Sequence, residues 1–197
     1  NEVPPKDWNT IINMPGMVDA SIEGSRYYWM IPNHTRPPLD NPKVRQAIGI
    51  AINRSAIVKG AFYGQATPIL GGVIPKWNWG YAGINYFKER GDIEKAKQLL
   101  IEAGVKKGTE INLMMVSTWP PMMSMAPIIQ ANLMQIGLKS KIDTMEVPRY
   151  WDEIWAPSKF DLTVMYWLSP LADPDDFVTN TYLSTSPVNT QKGGSKE

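Results

Sequence analysis

Two short stretches hold most of the side chains that could act on another molecule. One is STWPPMM, with Ser117, Thr118 and Trp119; the other is YWLSPLADPDDF, with Tyr166, Trp167, Ser169, Pro170 and Asp173. Hydroxyls beside indole and phenol rings can hydrogen-bond to a solute and stack on it. Bond-making chemistry needs more than this. The single histidine, His34, sits in PNHTRPPLDNP, distant in sequence from both serines, and no G-x-S-x-G elbow is present. No nucleophile, base and orienter are therefore assembled, and no catalytic residue is assigned. The chain has no Cys, which excludes thiolate nucleophiles, thiolate metal ligands and disulfides. One His makes no multi-His metal site, so neither metal nor cofactor is expected.

Each candidate also has a plainer reading. ADPDDF (172–177) is acidic enough to suggest Ca²⁺, but it lacks the glycine and distal glutamate of a calcium loop. It reads better as a helix start, with Asp173 as cap, Pro174 at the first position and Asp176 favouring the helix dipole. A cap beside a pocket can still face a ligand. Trp119 and Trp167 stand at strand exits, and a core role for each weighs as much as a stacking role. Arg45 and Arg54 flank a helix and are expected to form salt bridges within the fold. His34 is expected to face solvent or bond to backbone.

The elements that must hold these residues follow from periodicity and caps. RYYWMI (26–31) reads as a strand. Asn41 caps a helix with Val44, Ala47, Ile48, Ala51 and Ile52 on one face, and Asn53 or Ser55 starts another that Gly64 ends. Residues 68–83 form a Gly-, Pro- and Trp-rich loop. Asp92 caps a helix closed by Gly104. Strands are expected at 110–116, 138–147 and 161–167, and helices at 124–136 and 148–156. Strands alternating with helices predict an α/β layer fold, whose binding loops lie beyond the carboxyl ends of strands. The loops 117–122 and 168–176 qualify.

Composition sets the outer limits. The 197 residues carry 20 Lys+Arg and 19 Asp+Glu, a net charge of +1, so no nucleic-acid partner is expected. No apolar run approaches membrane-spanning length, and NEVPPKDW is not a signal peptide, which a secreted precursor would have lost. Eight Trp and eleven Met stand beside four Phe, a bias suited to surfaces that grip varied ligands or to an unusual core.

PPLDNPKVRQAIGIAINRSAIVKGAFYGQATP resembles the most diagnostic block of the extracellular solute-binding proteins of the peptide and nickel importer family. IPKWNWGY, DIEKAKQLLIEAGV with INLMMV, PIIQANLMQIGLKSKIDTME and FDLTVMYWLSPLADPDDFV match further blocks in the same order. The resemblance implies a periplasmic binding protein-like α/β lobe, with a mixed sheet flanked by helices. It divides the chain into a lead-in from the first lobe (1–26), the second lobe (27–183) and a truncated or flexible tail (184–197).

The resemblance further implies a monomeric substrate-binding component of an ABC importer for peptides or peptide-like solutes. It would be periplasmic, or extracellular and membrane-tethered, and would deliver its solute to permease and ATPase subunits. Peptide-binding relatives place an Asp three residues after the tryptophan of the last strand, where this chain has Pro170. Dipeptide-binding relatives carry an Arg after the first strand of this block, where this chain has STWPPMM. A longer peptide held by its backbone, or an uncharged oligomer, is therefore expected. Trp119, Tyr166 and Trp167 would line its site with Ser117, Thr118, Ser169, Pro170 and Asp173. An oligosaccharide or opine-like solute is the alternative; a receptor module without transport, or a hydrolase, has less support.

Overall fold

The computed structural model describes residues 4–155, 160–169 and 173–183. Pro170 and the expected tail, 184–197, lie outside the described residues. β1 (Arg26–Pro32), β2 (Glu110–Val116), β3 (Lys139–Met145) and β4 (Leu162–Leu168) form one mixed sheet in the order β1-β4-β2-β3. β2 runs parallel to β3 and β4, while β1 runs antiparallel to β4. Successive parallel strands need crossovers. α5 (Pro120–Gln135) supplies the one from β2 to β3, and α6 (Val147–Trp155) the one from β3 to β4.

This connectivity decides where the loops fall. From β2 the chain first steps to β3 on one side, then returns to β4 on the other. The carboxyl ends of β2, β3 and β4 share one edge, joined by the amino end of β1. Outside β2 and β4 the strand order reverses, the place where open α/β sheets form a crevice.

Three further helices pack on one another and on α5. α2 (Pro42–Ala51), α3 (Arg54–Phe62) and α4 (Ile93–Glu102) each start on a side-chain cap: Asn41 accepts from Lys43 N at 2.9 Å, Asn53 from Ala56 N at 2.9 Å and Asp92 from Lys95 N at 3.1 Å. The α2 face expected to be apolar is the core: Val44, Ala47, Ile48, Ala51 and Ile52 are all buried. Buried Asn132 of α5 accepts from Asn53 N at 2.8 Å and ties α5 to the start of α3. α1 (Trp8–Ile12) precedes β1, and α7 (Pro174–Tyr182) follows β4 from its Asp173 cap.

Two expectations are corrected. α5 begins at Pro120, four residues before the predicted 124, because Trp119 takes the cap position and Pro120 and Pro121 fill the first turn. A missing N–H costs little there. Arg45 and Arg54 are held by carbonyls rather than carboxylates. Arg45 donates to Leu39 O and Asp40 O at 2.8 and 2.9 Å, and Arg54 to Gly49 O and Ile52 O at 3.1 and 3.2 Å. Arg54 also lies 4.1 Å over the Phe87 ring, and burial pulls its pKa down to about 10.

Candidate ligand-binding edge

Strand alternation sorts the candidates. Successive side chains in β4 point to opposite faces, so Tyr166 and Trp167 part company. Tyr166 stands opposite Tyr28, and Trp167 opposite Tyr27.

On the Tyr166 side, rings follow one another. Phe62 lies 5.1 Å from Tyr28, Tyr28 5.7 Å from Tyr166, and Tyr166 5.2 Å from Trp119. Trp119 meets Tyr150 at 5.8 Å and Trp151 at 6.5 Å, both edge-on. Trp151 then stacks on Trp155 at 6.1 Å with planes 16° apart. Most of these contacts are tilted or edge-to-face, the arrangement that aromatic quadrupoles favour. Trp119, Trp151 and Tyr166 are half-buried and Trp155 is exposed, so the ladder keeps ring surface open to solvent.

Its base is fixed. Tyr150 is fully buried; its hydroxyl donates to Val164 O at 2.8 Å, and Thr163 Oγ1 donates to Met114 O at 2.7 Å. Burial pushes the Tyr150 phenol well above its ordinary pKa, so it stays neutral.

Ser117 and Thr118 are exposed in the turn between β2 and Trp119. Ser117 Oγ lies 3.2 Å from both Met145 O and Glu146 Oε1, and its single proton serves one of them at a time. At the other end, Arg26 sits 5.3 Å over the Tyr166 ring.

On the opposite face, Trp167 Nε1 donates to Asp176 Oδ2 at 3.4 Å, and Tyr27 packs on Phe177 of α7 at 5.8 Å. Ser169 is buried: Ser25 Oγ donates to its carbonyl at 2.7 Å, which latches β1 to β4. Asp173 is exposed and accepts from Asp175 N at 2.9 Å as the α7 cap.

The structure thus brings Ser117, Thr118, Trp119 and Tyr166 together. Trp167 and Asp173 stand with α7, and no ring contact among the described residues joins Trp119 to Trp167. Sequence reasoning missed Tyr28, Trp151, Trp155, Arg26 and Glu146. The Trp151–Trp155 spacing of one helical turn in YWDEIWA was a visible signal; the pairing of Tyr28 with Tyr166 was not.

A separate notch of about 310 Å³ lies between α6 and the sheet, lined by Arg36, Asn112, Asp143, Met145, Arg149 and Asp161 among others. Its charges are largely matched internally: Arg36 pairs with Asp161 at 2.8 Å, and Arg149 lies 3.9 Å from Glu153. It shares α6 with the aromatic ladder through Arg149 and Glu153, but none of the ladder's rings lines it.

A model of the bacterial extracellular solute-binding proteins, family 5 middle, matches residues 1–189. The chain belongs to this family. It is 34% identical over 157 residues to the dipeptide-binding protein of Escherichia coli strain K12, covering 76% of this chain and 28% of that protein. It is 40% identical over 134 residues to the glutathione-binding protein GsiB of Shigella flexneri, covering 68% and 25%. Among solved structures it resembles the Helicobacter pylori periplasmic binding protein DppA in complex with the peptide STSA, at 28% identity and TM-score 0.80. That match covers 91% of this chain and 34% of that one. AgaA from A. tumefaciens R10, in complex with agropinic acid, matches at 33% identity and TM-score 0.77, covering 91% and 36%. The family 5 chain thus spans roughly a quarter to a third of the length of these relatives, and its mixed α/β fold is the one expected from sequence.

Proposed function

We propose that this chain is one lobe of a two-lobe solute-binding protein serving an ABC importer, and that it grips peptides or peptide-like solutes without transforming them. The observation that carries this reading is the aromatic ladder at the carboxyl ends of β2 and β4. Open ring surface, a backbone-rich strand edge and the Ser117–Thr118 hydroxyls suit an extended chain of amides. A second lobe would close over it and exclude water, as hinged binding proteins do. The protein would work in the periplasm or at the outer cell surface and hand its solute to permease and ATPase subunits.

The test is a fluorescence titration of the full-length protein with peptide and oligosaccharide pools, using its tryptophans as reporters. Peptides should quench or shift the emission, and Trp119→Ala should weaken peptide binding by about tenfold or more, in line with a lost aromatic anchor. Unchanged affinity in Trp119→Ala would place the site elsewhere. A non-peptide solute is the second reading, because AgaA at 33% identity is seen with agropinic acid; saturation by such a solute with no response to peptides would favour it.

A further inference from the structure

The notch between α6 and the sheet holds polar groups that the proposed reading leaves unused. Asn112 and Met114 alternate on β2 and share one face of the sheet. Asp143 stands opposite Met114 in the β2–β3 register, and Met145 follows it on the same face. At about 310 Å³ the space matches the small end of ligand pockets, which begin near about 300 Å³.

Two polar groups at this notch are unanswered, and both are acceptors. Asn112 Oδ1 is buried and has no hydrogen-bond partner. A buried acceptor left without a donor is costly. Asp143 is exposed and forms no ion pair among the described residues. The other four charges are already coupled, Arg36 to Asp161 at 2.8 Å and Arg149, more loosely, to Glu153 at 3.9 Å. Three carboxylates thus stand against two guanidiniums, a surplus of one negative charge. Lys141 lies on the same face opposite Asn112, but it does not line the notch. Met114, Met145 and Phe160 complete the lining with apolar surface.

We propose that this notch binds a primary ammonium carried on a short alkyl stem. Asp143 meets its charge, Asn112 Oδ1 accepts one of its N–H groups, and the methionines and Phe160 receive the stem. An ammonium offers three donors and no acceptor, which is the complement of two unfilled acceptors. A water molecule would satisfy Asn112 alone and leave the surplus charge unmatched. The same chemistry is found in a free alkylamine and in a lysine side chain. The site is separate from the aromatic ladder and does not rest on the peptide-binding reading.

The experiment is a calorimetric titration of the full-length protein with n-butylammonium, with Nα-acetyl-lysinamide and with neutral n-butanol. At least one of the two ammonium compounds should saturate a single site with a Kd of about 1 mM or tighter. Butanol should bind at least about tenfold more weakly. The tighter of the two ammonium compounds identifies the source as a free amine or a lysine side chain. Asp143→Asn should weaken ammonium binding by about tenfold or more, the loss expected for a charge-assisted hydrogen bond, and leave peptide affinity as in wild type. Asn112→Leu should also weaken it; this change exchanges an orphaned amide for an apolar group of similar size, so the fold should hold, as thermal unfolding would verify. No saturable binding of either ammonium compound would overturn the proposal. So would butanol binding as tightly, or affinity unchanged in both variants, which would put the amine elsewhere. None of these failures touches the peptide reading, which has its own test in Trp119→Ala.

Discussion

Tyr150 supports the candidate site from beneath. Its ring supports Trp119, and its buried hydroxyl holds Val164 O. Because burial raises its pKa above the ordinary 10.0, the folded state keeps a proton that the unfolded state loses at high pH. Stability from this group is therefore complete below about pH 10 and falls as pH rises beyond it. Chemical denaturation followed from pH 8 to 11 should show that decline, and Tyr150→Phe should flatten it. Asn132 is a second such residue. Its side-chain oxygen satisfies Asn53 N, so Asn132→Leu leaves that donor without its partner and should cost about 1–3 kcal/mol in urea unfolding.

At the level of elements, caps and apolar stripes were readable because they depend on neighbours in sequence. Asn41, Asn53, Asp92 and Asp173 all cap as their residue types imply, and the Val44–Ile52 stripe is buried as its spacing requires. The early start of α5 was hidden because PP reads as a loop until Trp119 is known to cap it. The site was half legible. Trp119 could be placed at a strand exit, but its partners Tyr166 and Tyr150 come from elements 47 and 31 positions away, and only the pairing of β4 with β2 and the docking of α6 bring them near. Adjacent Tyr166 and Trp167 looked like one patch, yet the pleat sends them to opposite faces. One connection between elements is especially tight. Gly91 has φ +75°, and a Cβ there would lie 2.6 Å from Ala51 O at the end of α2. Gly91→Ala should thus lower stability by about 1–3 kcal/mol, visible as a reduced urea midpoint, because both strain and contact oppose it.

For the chain as a whole, the carboxyl-edge placement would make it one wall of a crevice under the proposed reading. Under the two-lobe reading, the chain alone should bind peptide at least about a hundredfold more weakly than the full-length protein, since burial and water exclusion come from closure. Titrating both with the same peptide checks this, and equal affinities would count against the two-lobe reading.

The last strand in the sheet order has a further consequence. β3 is an outer strand that meets no strand on its far side among the described residues, and it carries Lys139, Lys141 and Asp143 at alternate positions. Charges spaced this way discourage a neighbouring copy from zipping onto the ribbon and seeding fibrils. Recoding all three to valine should turn a well-behaved polypeptide into one that gels or precipitates on concentration, a trait that light scattering would register before any loss of helix signal.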